Sequence, residues 1–188
     1  LDGHFVIEQQ VRNKAGHFIN FNGTAGVWRK SCIFDAGNWE SDTLTEDLDL
    51  SYRAQLKGWK FVFLRAVTSP SELPSEINAL KAQQHRWTKG AIETARKILP
   101  RVWRSNLSFD RKIHSTLHLT GNIVFPFILT AAILNVPLIF IKHQGGYEMY
   151  FNIMAVFVFA FLGSFLFYIY SPKEAYAGWY NMILNLPL

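Results

Sequence analysis

Gln83, Arg86 and Trp87 stand at i, i+3 and i+4, so on a helix they share one side. A guanidinium there can grip a phosphate through two parallel hydrogen bonds. The indole offers a flat apolar face on which a sugar ring can stack. The same residue types also anchor helices at membrane interfaces, and their spacing alone does not separate the two readings. About forty residues upstream, Thr45-Glu46-Asp47 puts two carboxylates at what reads as the start of a helix, where the helix dipole favours negative charge. Asp47 can simply start that helix; beside an acceptor hydroxyl it can take the proton as the oxygen attacks carbon. Phe21-Asn22-Gly23-Thr24 is a turn-rich loop after an apolar run. Gly23 there lets a ligand come close to the backbone, although a plain turn explains the same residues. His114 and His118 are four apart, a spacing that can hold a metal. With no carboxylate or thiol read as accompanying them, they are taken as polar residues near a membrane boundary.

Simple elements position these residues. Phe18 to Phe21 reads as a short strand running into the Asn22–Gly26 loop, and a short helix follows from Trp28 to Gly37. Thr45 is the expected N-cap of the next helix. Leu48, Tyr52 and Leu56 fall on one face of it, and Gly58 ends it. Lys60 to Leu64 reads as a second strand, and Pro70 and Pro74 mark a loop. From Ser75 a helix is expected to run to Leu99, where Pro100 limits it. Ile77, Leu80, Gln84, Trp87, Ala91, Ala95 and Ile98 recur at three- and four-residue steps, the pattern of an amphipathic helix at a membrane interface.

Charge is very unevenly spread over the 188 residues. No Asp, Glu, Lys or Arg occurs between Lys112 and Lys142, or between Glu148 and Lys173. Both intervals exceed the roughly 20 apolar residues that cross a bilayer. Membrane helices are expected at about 113–141 and 149–171, with a third opening at 175. The net charge of +5 gathers in residues 81–112, just before the first apolar interval. Such a cluster marks the cytoplasmic side and is attracted to anionic membrane lipids. With apolar spans adjacent, nucleic-acid binding is the weaker reading of the basic patch, and no nucleic-acid partner is expected. A single cysteine, Cys32, excludes an internal disulfide framework and fits a reducing cytosol. A chain that opens on Leu1 and stops inside an uncharged stretch is expected to be a piece of a longer one, with sequence missing at both ends.

The order Phe-Asn-Gly-Thr, Thr-Glu-Asp, Gln-x-x-Arg-Trp and then apolar spans resembles the processive family 2 glycosyltransferases, which include cellulose, chitin and hyaluronan synthases. The likeness is closer to cellulose-synthase-like mannan and glucan synthases. It rests on FNGTAGVWR (Phe21–Arg29), TEDLDLSYRAQLKGWKFVF (Thr45–Phe63), ELPSEINALKAQQHRW (Glu72–Trp87) and HFVIEQQ (His4–Gln10). After Trp87 the likeness is one of layout rather than of residues.

The resemblance implies an α/β fold. Residues 1–75 would be the C-terminal part of a cytosolic GT-A catalytic domain, 76–112 an amphipathic interface region, and 113–188 transmembrane helices. It implies Asp47 as the catalytic base, with Glu46, Phe21, Asn22, Gly23, Thr24, Gln83, Arg86 and Trp87 binding substrates. Gln83, Arg86 and Trp87 would hold the donor diphosphate and the acceptor end of the glycan, and the Phe21–Thr24 loop would line the acceptor site. The donor would be a nucleotide sugar (GDP-mannose or UDP-glucose), the acceptor a glycan or a lipid. Mg²⁺ or Mn²⁺ would be held by an upstream Asp-x-Asp that this segment lacks, so no metal ligand is expected within it and it is not expected to act alone. The rival readings are a non-processive enzyme that adds one sugar to a lipid and a non-catalytic component of glycan export.

Overall fold

The computed structural model describes residues 3–23, 25–70, 72, 74–145, 147–155 and 159–175. The chain divides into two units, one formed by Gln9–Val124 and the other by its first eight residues with those from Phe125 onward. The first unit carries every residue that the sequence singles out for chemistry.

No strand forms among the described residues, so the α/β class expected from the sequence is not seen in this segment. Both expected strand segments lack regular structure; a strand needs a neighbouring backbone, and here side-chain amides take that place. Gln55 Oε1 accepts from the Ile19 N–H at 3.1 Å, and Gln55 Nε2 donates to the Ile19 carbonyl at 2.6 Å. Asn13 does the same for the second segment, donating to the Phe61 carbonyl at 2.7 Å and accepting from the Phe63 N–H at 3.0 Å. Each amide offers one donor and one acceptor, the complement that a paired strand presents.

The helical elements follow the sequence more closely. After a π-helical turn over Gly3–Gln9 come α1 (Gln10–Lys14), α2 (Lys30–Asp35), α3 (Glu46–Leu56), α4 (Ile77–Arg104) and α5 (Phe109–Thr120). Gly37 and Gly58, at φ +94° and +93°, stop the chain after α2 and α3 in the left-handed conformation that glycine adopts without steric cost. The expected face of α3 is buried: Tyr52 joins Phe18, Ala95, Ile98, Val102 and Leu119 in one core, with Leu48 and Leu56 against it. A second core gathers Cys32, Ala36, Leu50 and Ala54 beneath Trp28, Ile33, Trp59 and Phe61.

Two boundary expectations are corrected. Thr45 stands at the N-cap of α3, but its side chain makes no cap hydrogen bond; its hydroxyl instead pairs with that of Thr94 at 3.1 Å. Pro100 does not end α4, which continues through it to Arg104. The proline removes the hydrogen bond to the Arg96 carbonyl, but Arg96 lies on the exposed side where water can replace it. Ile98 and Val102, both fully buried, hold the helix against α5 on either side of the proline.

In the second unit, α6 (Val124–Gln144), α7 (Glu148–Ala155) and α8 (Ala160–Ala175) carry the uncharged intervals. Most apolar side chains along α6, from Phe125 to Ile141, are exposed to the surroundings. Among the described residues one helix, Phe109–Gln144, is long and apolar enough to cross a membrane. Its first part, α5, packs on α4 with Ser115 and Leu119 buried. The third expected span lies outside the described residues beyond Ala175.

Candidate active site

Asp47 sits in the first turn of α3, half-buried, and both its carboxylate oxygens are held by backbone amides. Oδ1 accepts from its neighbour Leu48 at 2.8 Å, and Oδ2 accepts from Gly23 at 2.9 Å. Gly23 has φ +60°, which turns its N–H toward the helix. A second tie runs alongside: the Phe21 N–H donates to Ser51 Oγ at 2.8 Å, and Ser51 Oγ donates to the Asp47 carbonyl at 2.6 Å. The Phe21–Thr24 loop and the Thr-Glu-Asp helix, 24 residues apart in sequence at Gly23 and Asp47, thus form one local structure. Within the loop Asn20 Nδ2 donates to Asn22 Oδ1 at 2.5 Å. The Phe21 ring lies over Gly26, where a Cβ would come within 2.6 Å of it, so residue 26 must lack a side chain for the ring to stay. Thr24 lies outside the described residues, and Glu46 is exposed.

Burial pushes the Asp47 carboxyl above its ordinary range, and the neighbouring Glu46 charge adds to this; the Leu48 and Gly23 amides only partly offset it. A helix N-terminus alone would favour the ionised form, so here desolvation outweighs the dipole. A carboxylate with a raised pKa is a better proton acceptor than a solvated one.

Gln83, Arg86 and Trp87 lie in the first half of α4, on its outer side. Arg86 is exposed, Trp87 is 41% exposed, and their side chains make no hydrogen bond or ion pair among the described residues. One turn later the helix becomes buried. Gly90 meets the start of α3 so closely that a Cβ there would lie 2.6 Å from Thr45 Cγ2, 2.8 Å from Thr45 N and 2.9 Å from the Leu44 carbonyl carbon. Two side-chain contacts close the junction: Glu93 Oε2 accepts from the Leu44 N–H at 3.0 Å, and the Thr45–Thr94 hydroxyl pair lies beside it. The structure does not place the Gln-x-x-Arg-Trp side chains against Asp47. It fixes the two motifs to one another where Gly90, one turn after Trp87, meets Thr45, two residues before Asp47.

This junction makes a prediction. Gly90→Ala forces backbone, not a flexible side-chain end, to move, and overpacking of this kind costs about 1–3 kcal/mol. In the full-length protein it should lower the apparent unfolding midpoint and reduce turnover about tenfold through the displaced α3 terminus. Thermal unfolding and initial rates, measured together, check it.

Further along, Lys97 locks the same two helices. Its ammonium lies 2.5 Å from Glu40 Oε2, 2.8 Å from Asp42 Oδ1 and 3.1 Å from the fully buried Asp49 Oδ1. Arg53 holds the other Asp49 oxygen at 2.7 Å and donates to the Ala36 and Asn38 carbonyls. Burial works against the Lys97 charge, but the three carboxylate hydrogen bonds outweigh it and hold its pKa above the ordinary range. Glu40, Asp42 and Asp49 come close enough to share a cation. They are already matched by Lys97 and Arg53, however, and do not fit a divalent ion.

Sequence reasoning missed Gly90, Glu93, Thr94 and Lys97. The available signal was Gly90 itself, since a glycine inside a long helix is unfavourable unless close packing requires it. The His114–His118 pair is also resolved: His118 Nδ1 bonds the buried Tyr52 hydroxyl at 2.7 Å, and His114 turns elsewhere, toward Asp110. Asp110, one turn before His114, is a carboxylate that the reading from sequence overlooked.

The chain belongs to the family described as "Glycosyl transferase family group 2", matched over residues 2–186. It is 49% identical over 115 residues to "Glucomannan 4-beta-mannosyltransferase 1" of Oryza sativa subsp. japonica, covering 61% of this chain and 22% of that protein. It is 47% identical over 113 residues to "Glucomannan 4-beta-mannosyltransferase 7" of Arabidopsis thaliana, covering 60% and 20%. The chain thus spans about a fifth of the length of these relatives. No solved structure matches it.

Proposed function

We propose that this chain is the acceptor-side part of a membrane-bound inverting β-glycosyltransferase that transfers a hexose from a nucleotide sugar to a growing β-linked polysaccharide. The observation that carries the proposal is the Asp47 carboxylate, desolvated, oriented by the Gly23 and Leu48 amides, and fixed to the Gln-x-x-Arg-Trp helix at Gly90. In the reaction, an acceptor hydroxyl oxygen attacks the anomeric carbon and the bond from that carbon to the nucleoside diphosphate breaks. The diphosphate leaves with the electron pair, and Asp47 takes the hydroxyl proton. Arg86 and Gln83 hold the departing diphosphate, and Trp87 stacks on the sugar at the acceptor end. Phe21, Asn22 and Gly23, with Thr24, line the acceptor side, and Glu46 stands beside the base.

The divalent ion that commonly serves such chemistry, Mg²⁺ or Mn²⁺, neutralises the diphosphate charge when bound. The carboxylates present in this segment do not fit it, and its ligands are assigned to sequence upstream. The α/β sheet of a GT-A domain is assigned there too. The names of the similar proteins favour GDP-mannose over UDP-glucose as donor. The basic residues before α6 support a cytoplasmic position for the catalytic part, with Phe109–Gln144 as the span that enters the membrane.

The test is product analysis with full-length protein in membranes given GDP-mannose or UDP-glucose. Consumption of GDP-mannose with growth of a β-linked mannan chain is the expected result. Transfer of a single sugar to lipid, or no transfer from either donor, overturns it.

A further inference from the structure

His17, Asp110 and His114 take no part in the site above, yet they converge. We propose that these three side chains bind a divalent transition-metal ion of the Zn²⁺ type.

His17 lies in the turn after α1, placed there by Gly16 at φ +74° and by its own N–H to the Arg12 carbonyl at 2.9 Å. Asp110 and His114 are one turn apart on α5. His17 Nδ1 is 3.8 Å from Asp110 Oδ2, and His114 Nε2 is 3.5 Å from Asp110 Oδ1. One ligand atom from each residue lies within 4.8 Å of the others. Ligand atoms around a tetrahedral Zn²⁺, with bonds of about 2.0–2.1 Å, stand roughly 3.3–3.4 Å apart, so separations of up to 4.8 Å must close by about 1.5 Å at most.

A second, independent observation points to a ligand. The His17 side chain is 12% exposed, and its Nδ1 is buried with no hydrogen-bond partner among the described residues. Buried polar atoms are normally satisfied, and one left over calls for a partner not yet present. The two imidazoles are stacked, centroids 3.8 Å apart and planes 26° from parallel. Stacked rings aim their lone pairs side by side, so binding one ion requires the 43%-exposed His114 ring to rotate out of the stack.

The donor set selects the ion. Two imidazole nitrogens and one carboxylate favour Zn²⁺ and its neighbours over Mg²⁺ and Mn²⁺, which prefer all-oxygen sites. Burial lowers the His17 pKa, and His114, Arg12 and Arg111 lower it further against the opposing Asp110 charge. This direction favours the neutral imidazole, the form a metal requires. Arg12 is turned to the Phe18 carbonyl at 2.8 Å, while an Arg111 nitrogen lies beside Gly16. These two charges oppose a cation, so binding in about the micromolar range is expected rather than the tighter range of closed structural sites. A bound ion would tie the turn after α1 to α5, one turn from the Tyr52–His118 hydrogen bond that joins α5 to α3.

The experiment uses full-length protein in detergent micelles, its affinity tag removed, titrated with Zn²⁺ against a chromophoric chelator in excess Mg²⁺. The parent protein should bind one Zn²⁺ more than His114→Gln or Asp110→Asn, or bind it at least tenfold more tightly. X-ray absorption should show imidazole ligands, fewer of them in His114→Gln, and a changed light-atom shell in Asp110→Asn. Both substitutions are on exposed side chains and should leave folding intact; if His17→Ala, at a buried position, fails to fold, these two still decide. Equal Zn²⁺ binding by parent and variants, or an absorption spectrum unchanged by them, overturns the proposal.

Discussion

Asp47→Asn, in the full-length protein, is expected to cut glycan synthesis by about a hundredfold or more, the scale on which a positioned acid–base group acts. Donor binding should be largely retained, because the asparagine keeps the shape of the side chain, although its one oxygen can accept from only one of the Gly23 and Leu48 amides. Folding should be little affected. A carboxyl whose pKa is raised in the folded state binds its proton more tightly there than in the unfolded chain. The fold therefore gains stability as pH falls and loses some when Asp47 ionises. Removing that charge offsets part of the amide hydrogen bond lost to the asparagine NH2, so the apparent unfolding midpoint at neutral pH should fall only slightly. Near-normal turnover with normal expression would sink the assignment of Asp47 as base.

Trp87→Ala is expected to abolish nearly all elongation, and Phe or Tyr at this position should each lose most of it. Trp87 is 41% exposed on a helix whose other half is buried, so its indole is free to meet another molecule. A stacking platform needs the broad ring, whereas an interfacial anchor needs only an amphipathic aromatic. Tyr should therefore substitute well if Trp87 merely anchors α4, and poorly if it stacks on sugar. Elongation rates are read beside membrane insertion and protein level. A Trp87→Ala protein that inserts normally and elongates at the parental rate contradicts the catalytic role.

The face and the end of α3 were legible, because its apolar side at Leu48, Tyr52 and Leu56 and its glycine stop are local signals, but the missing Thr45 cap bond was not. The short helix α2 was legible for the same reason. The expected strands were not, since a β pattern states only that a segment is extended and half-buried. Whether a backbone, or Gln55 and Asn13, satisfies it is decided 36 to 50 residues away. Pro100 misled because the rule that proline ends helices is local, whereas Ile98, Val102 and Leu119 hold α4 by tertiary packing. At the site, the motifs named the side chains but not their joint. Asp47 was read as a carboxylate kept ionised by a helix terminus; its burial behind the Phe21–Gly23 loop raises its pKa instead. The junction at Gly90, Glu93 and Thr94 needs both helices in three dimensions to be seen.

The central claim, that Asp47 removes the acceptor proton, is tested most directly by the pH dependence of elongation rate at saturating donor, in the parent protein and in Asp47→Asn. Activity requires the ionised carboxylate, so the parent should lose activity as pH falls through an acid limb lying above the ordinary carboxylate range. In Asp47→Asn that limb should vanish, leaving a low rate that is flat across the same interval. An acid limb that persists unmoved in Asp47→Asn contradicts the account.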